Sequence, residues 1–334
     1  LKACEIALWS IDWGDRQGAN VQHHHIDANG VKLHVIEHGD GPVVLFCHGF
    51  PDTWRGWRRQ MEAMADVGYR AVALDMRGYG ESSAPNDAAL YTPFYTVGDL
   101  VGVLDAFGIP TAAIVGHDFG ATVAWNAAMM RPDRFTSVFC LSVPFSPPTA
   151  VSFLQQLRQA GHENFYMFRQ MRPEAEAEWA DAATTIPGMY YWTSGSASAD
   201  QRWDPFDPAR GLTRPAPGVL PEWLVGPDLS AAISEFQRTG FHGPLNYYRA
   251  IQPFFDMAGA FFGGTIRQPS FFVTGKADGL TKLRPVTEES LRQILPDLRG
   301  FLALEEIGHW PQLEATNAVN KAIKEFLAEV DMRR

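Results

Sequence analysis

An aspartate set between two glycines, Gly116-His117-Asp118-Phe119-Gly120, follows the apolar run Ala112 to Val115 and leads into a helical-looking run, Ala121 to Met130. Strand, sharp turn and helix in that order hold the central side chain up at the end of a sheet. The glycines let the backbone bend tightly and approach its neighbours. A carboxylate in that position can attack an sp³ carbon and leave an ester, which an activated water can cleave. A serine attacking the same carbon would leave an ether, which water does not readily cleave. The residues alone leave a second role open, because Asp is a favoured helix N-cap and Asp118 precedes a helix.

Two further polar residues fall just past the ends of apolar strands, where sites lie in open α/β sheets. Asp278 stands in Gly275-Lys276-Ala277-Asp278 after the run Phe271 to Thr274, and His309 stands in Gly308-His309-Trp310 after Phe301 to Glu305. His309 is the only histidine after residue 242, so a late base has to be this one. An acid placed instead after the strand ending at Val143 is missing, for the chain there reads Pro144-Phe145-Ser146-Pro147-Pro148. Nucleophile, acid and histidine then follow one another in the order of a known hydrolase triad. Asp278 would orient the imidazole and His309 would activate water. The loop His48-Gly49-Phe50-Pro51 supplies one backbone N–H for the oxyanion, from Phe50, and Phe119 supplies the other. His48 itself reads as a structural residue bonded within its loop. The leaving group stays open at this point: an epoxide oxygen needs an acid such as a tyrosine hydroxyl, and a halide needs N–H donors.

These residues need a sheet to position them. Val31 to His38 alternates as a half-buried strand does, Val43 to Cys47 is apolar throughout, and Arg55 to Ala65 reads as a helix. Tyr69 to Leu74, Ala112 to Val115 and Phe135 to Val143 are further strands, with a helix over Thr96 to Phe107. Strands alternating with helices predict an α/β fold with a mostly parallel sheet. The alternation stops at Pro144. Helical pieces rich in aromatic residues run to about Gly264, interrupted by a long loop, Ser194 to Pro221, before the pattern resumes at Pro269. The expected organisation is a core from residues 1–143, an inserted helical cap over 144–264 and the rest of the core over 265–334. Trp9 and Trp13 read as packing anchors. His23-His24-His25 reads as structural, because neighbouring residues on a strand point to opposite faces.

Composition narrows the function. The 334 residues are 46% hydrophobic and 20% charged, the balance of a globular protein with a sizeable core. A net charge of −10 argues against nucleic acid or an anionic membrane as partner. No 18-residue apolar run occurs, so no membrane span is expected. Cys4, Cys47 and Cys140 fit no zinc spacing, and a reducing cytoplasm is the simplest compartment. No metal or cofactor is expected.

With these motifs in view, the chain resembles the soluble-type epoxide hydrolases of the α/β-hydrolase fold from about Ile26 to Leu327. The resemblance is carried by His48-Gly49-Phe50-Pro51-Asp52-Thr53-Trp54, Asp75-Met76-Arg77-Gly78-Tyr79-Gly80-Glu81-Ser82, Gly116-His117-Asp118-Phe119-Gly120 and Gly308-His309-Trp310 in the core. In the cap it is carried by Thr239-Gly240-Phe241-His242-Gly243-Pro244-Leu245-Asn246-Tyr247-Tyr248-Arg249. It implies Asp118 as nucleophile, Asp278 as acid and His309 as base. It also implies Tyr248 as one of two cap tyrosines that hold and protonate the epoxide oxygen. The second falls in Asn164-Phe165-Tyr166-Met167-Phe168, at Tyr166, with Tyr190 or Tyr191 as alternatives. Pro51, Trp54 and Trp310 are expected to line the pocket, and Phe50-Pro51 to be cis. The reaction implied needs no cofactor, takes a small apolar epoxide and is carried out by a monomer or homodimer. Phe119 departs from the family, where many members have Trp. The indole N–H that haloalkane dehalogenases turn to halide is therefore missing, as is the Arg near the nucleophile by which fluoroacetate-type dehalogenases bind a carboxylate.

Overall fold

The computed structural model describes residues 7–9 (backbone) and 21–332 except 284. Trp13 and Cys4, and the side chain of Trp9, lie outside the described residues. Among the described residues, nine strands form one sheet in the order β1-β2-β3-β5-β4-β6-β7-β8-β9. They are β1 Ala7–Trp9, β2 Gln22–Ala28, β3 Val31–His38, β4 Val43–Cys47, β5 Arg70–Leu74, β6 Ala112–His117, β7 Phe135–Leu141, β8 Ser270–Gly275 and β9 Leu298–Leu304. The first three pair antiparallel and join β5; from β5 through β9 every pairing is parallel.

The parallel strands are apolar because both of their faces are covered. Successive residues alternate between two cores: Leu45 and Cys47 pack on one side of the sheet, Val44 and Phe46 on the other. Helices α1 (Arg58–Ala65) and α13 (Thr316–Asp331) cover the second side, through residues such as Met61, Met64, Ile323 and Phe326. Helices α2 (Pro93–Ala106) and α3 (Phe119–Met130) cover the first.

Between β7 and β8 the described chain forms helices and loops but no strand. It holds α4 (Phe153–Gln159), α5 (Tyr166–Gln170), α6 (Ala175–Trp179), α7 (Ala182–Thr193), α8 (Pro227–Thr239), α9 (His242–Arg249) and α10 (Ile251–Met257). After β8 come α11 (Glu288–Arg292) and α12 (Pro311–Glu314). The insertion packs onto the first core through Trp179, Phe236, Leu245 and Tyr247. Its helices are short: α5 and α6, of five residues each, are separated by Pro173, and α9 and α10 meet at Ala250. Helix α7 was not anticipated, since Pro187 sits inside it. The long loop after Thr193 holds only the short 3₁₀ turn Pro208–Arg210 before Pro221. Cys47 and Cys140 are buried free thiols.

Candidate active site

Strand β4 lies between β5 and β6, so the chain leaves the sheet in opposite directions on its two sides. The crevice at such a reversal, outside the carboxyl ends of the strands, is where α/β sheets bind ligands. Asp118 stands there, at the end of β6. Its backbone is left-handed, φ 53° and ψ −120°, the strained conformation of a tight strand-to-helix turn. The flanking glycines are sterically required. A Cβ on Gly120 would lie 2.1 Å from the carbonyl oxygen of Cys47, and one on Gly116 would lie 2.3 Å from that of Gly120. The capping alternative is not realised, because the Asp118 side chain caps no helical N–H.

Its carboxylate is engaged elsewhere. The Phe50 amide donates to Oδ1 at 2.8 Å, and His309 Nε2 lies 3.5 Å from Oδ2. Phe119, the first residue of α3, makes no hydrogen bond from its amide among the described residues; the first N–H groups of a helix have no internal acceptor. Phe50-Pro51 is cis. His48 holds this loop from within: Nδ1 donates to the Gly49 carbonyl at 2.9 Å, and Nε2 accepts from the Met76 amide at 3.0 Å.

Asp278 follows β8 and His309 follows β9, and the two meet at 2.9 Å between Asp278 Oδ2 and His309 Nδ1. The other Asp278 oxygen accepts from the Leu280 amide at 2.9 Å, so this carboxylate also caps the turn after it. All three side chains are nearly buried. Burial alone would lower the His309 pKa, but the carboxylates of Asp278 and Asp118 overcome it and raise it to about 10. Burial works to raise the Asp118 pKa, and the facing His309 outweighs it, so the net shift is downward. The resting site is therefore an imidazolium held between two carboxylates.

The loop that carries His309 is fastened on every side. Its amide donates to the Thr193 carbonyl at 2.9 Å, at the end of α7. Its carbonyl accepts from His117 Nε2 at 2.7 Å and from Ser142 Oγ at 2.8 Å. Burial lowers the His117 pKa to about 3, so His117 is neutral and its one N–H is committed to this bond. The Glu314 carboxylate accepts from the amides on both sides of His309, Gly308 at 3.0 Å and Trp310 at 3.0 Å, and from Gly195 at 2.7 Å. Nothing in the sequence singled out Glu314; its signal was an acid five residues after the base. Glu314→Gln puts an N–H₂ against N–H donors. It is expected to cost about 1–3 kcal/mol in denaturant unfolding and to lower turnover more than substrate affinity, as a kcat and KM comparison would show.

Above Asp118 stand aromatic rings of the insertion. Tyr248 is buried, edge-on to Phe119 at 4.7 Å and to Phe50 at 5.2 Å. Tyr166, partly exposed, is edge-on to Tyr248 at 6.0 Å and to Trp203 at 5.0 Å. Neither hydroxyl has a hydrogen-bond partner among the described residues. Burial raises both phenol pKa values well above the usual range, and Asp118 adds to it in each. Tyr247 turns away, its hydroxyl donating to the Arg77 carbonyl at 3.1 Å.

The alternatives for the second tyrosine lie elsewhere. Tyr190 stacks on Trp310 at 4.3 Å, and Tyr191 packs on Trp192. Of the expected pocket residues, Pro51 is buried beside Phe50. Trp54 and Trp310, the other two expected pocket residues, are both buried. The Trp54 ring is buried in the second core, under the Arg55 guanidinium and against His23. Trp310 is fully buried, its indole N–H donating to Thr193 Oγ1 at 2.7 Å and its ring backing His309. A cavity of about 560 Å³ lined by Arg202, Trp223, Lys276, Glu306 and Glu314 touches none of the triad and is a separate surface feature.

Comparison with known proteins agrees with this geometry. A family model described as the alpha/beta hydrolase fold matches residues 42–316. The chain is 55% identical to an epoxide hydrolase of Caballeronia sordidicola over 312 residues, 93% of this chain and 95% of that one. It is 39% identical to epoxide hydrolase A of Mycobacterium tuberculosis over 317 residues, 92% of this chain and 98% of that one. Among solved structures, an epoxide hydrolase from an endophytic Streptomyces superposes with a TM-score of 0.88 at 36% identity, covering 95% of this chain and 97% of the other. A sheet that reverses at β4, an aspartate at the strained turn after β6 and relatives matched along nearly their whole length lead to one statement: the chain belongs to the epoxide hydrolases of the α/β-hydrolase fold.

Proposed function

We propose that this protein converts an epoxide and water to a vicinal diol through an ester on Asp118. The observation that carries the reading is the division of labour on one carboxylate: Oδ1 is held by the Phe50 amide at 2.8 Å, and Oδ2 faces His309 at 3.5 Å. Oδ2 attacks an epoxide carbon, a new C–O bond forms and the ring C–O bond breaks. The departing alkoxide takes a proton from Tyr248 or Tyr166. Transfer is helped because the negative charge of Asp118, which raises both phenol pKa values, is consumed as the ester forms.

The same event prepares the second half. With Asp118 esterified, one of the two carboxylates that raised the His309 pKa is gone, and the imidazolium gives its proton by way of solvent to the tyrosinate left by the first step and becomes a base. It takes a proton from water, and the hydroxide adds to the ester carbonyl. The oxyanion on Oδ1 lies at the Phe50 and Phe119 amides. Collapse breaks the bond to Oδ2, the diol leaves with a proton from His309, and the carboxylic acid left on Asp118, now carrying an oxygen from water, gives its proton to His309 to restore the resting pair. Asp278 keeps the imidazole oriented throughout.

In a single turnover in heavy-oxygen water, the first diol should carry unlabelled oxygen from Asp118, and the label should appear in the protein. Label entering the first diol directly would remove the ester, and halide release from haloalkanes without diol formation would remove the epoxide reading altogether. Tyr248→Phe is expected to slow ester formation by about 10²-fold, and Tyr166→Phe by a smaller factor. The double variant should be close to inactive by stopped-flow fluorescence. The aromatic setting supports a small apolar substrate, and the buried thiols support a reducing compartment such as the cytoplasm.

A further inference from the structure

The histidines at 23–25 lie within β2. His23 and His25 share one face of the strand and His24 takes the other. His24 packs on Phe107 and reaches Glu37. On the shared face the antiparallel register sets His25 directly opposite His34 of β3. The His34 ring is stacked 5.1 Å from His25 on one side and 5.1 Å from His23 on the other. His23 Nδ1 lies 2.9 Å from His34 Nε2. Glu81, from the loop after β5, brings Oε2 to 3.1 Å from His25 Nε2. One potential donor atom from each of His25, His34 and Glu81 lies within 4.8 Å of the others.

We propose that this face binds one divalent cation of the zinc class through His25, His34 and Glu81, with water as the fourth donor. Imidazoles with one carboxylate are a ligand set that suits zinc. His34 is already oriented for it. Asp75 Oδ2 accepts from His34 Nδ1 at 2.7 Å, which leaves the lone pair on Nε2, the carboxylate–histidine support usual behind a metal ligand. Asp75 is itself fixed by the Trp54 amide at 3.1 Å and the Glu81 amide at 3.3 Å. His25 and Glu81 are the adjustable members, with side chains 27% and 44% exposed. A small inward movement brings their atoms to the separation of about 3.3 Å that tetrahedral ligands of zinc adopt. The proton shared by His23 and His34 is displaced to solvent as the cation binds.

The site is independent of the Asp118 chemistry, but His309 with its two carboxylates is a rival for zinc, so the test has to separate them. Metal-free protein is dialysed against zinc chloride and bound zinc is measured by atomic absorption. One zinc per chain is expected at micromolar concentrations. Affinity should fall by about tenfold or more in His25→Gln and in Glu81→Gln, and stay unchanged in His24→Ala and His309→Gln. Glu81 is at the surface, so its variant cannot be dismissed as unfolded; melting curves without zinc check His25→Gln. No uptake by the unaltered protein at 100-fold molar excess would overturn the proposal. So would undiminished uptake in both His25→Gln and Glu81→Gln, or uptake lost only in His309→Gln.

Discussion

In the variant His309→Gln the reaction is expected to stop halfway. Asp118 keeps its oxygen free to attack, the Phe50 amide still holds the other, and Tyr248 and Tyr166 still supply a proton, so the ester forms. No group remains within reach to take a proton from water, and turnover should fall by about 10⁴-fold or more. Intact-protein mass after mixing with styrene oxide should rise by the mass of one substrate molecule and stay raised for hours. Mass unchanged, with turnover lost, would mean that His309 is needed before the ester and would break the assigned order of steps. Glutamine keeps a hydrogen-bonding side chain in the fully packed space between His117 and Trp310, so the fold should survive the change.

Asp118→Ala removes both nucleophile and charge. Diol formation should drop by about 10⁴-fold or more, with no ester at any time. The second effect is on His309. Its pKa, raised to about 10 by Asp278 and Asp118 against the pull of burial, should fall in the variant and be visible in the imidazole titration by NMR. The sign for stability follows. A histidine whose folded pKa is raised stabilises the fold fully below its unfolded value, about 6.5, and progressively less as pH rises through the folded value. The stability lost in Asp118→Ala through this pairing should thus be greatest at and below pH 6.5 and shrink towards pH 10, as denaturant titrations at several pH values would show. An unmoved titration would mean that Asp278 alone sets the charge of the base.

What the sequence made legible is what local pattern encodes. Asp118 stood out because an apolar strand, two glycines and a helix leave one geometry for the residue between them. His309 stood out by position, as the one histidine near a late strand end. Phe50 followed from its loop. Glu314, Ser142 and Thr193 were invisible, because their contribution is a contact across the fold with no trace in spacing. The choice among Tyr166, Tyr190 and Tyr191 needed helix phase, and α7, broken in pattern by Pro187, hid it. The strand that carries the histidine run, β2, went unread, and its pairing with β3 decides which rings are neighbours.

The attachment of the His309 loop to the insertion bears on protein engineering. Thr193 and Gly195 hang from the far end of α7, yet one binds the His309 amide and the other binds the carboxylate that steadies both of its flanks. A chimera that grafts the inserted helices of one family member onto the sheet of another exchanges part of the seat of the base along with the walls around the substrate. Libraries built by such grafting should show altered rates of ester breakdown even for substrates that both parents accept, and restoring the parental 193–195 segment should recover them.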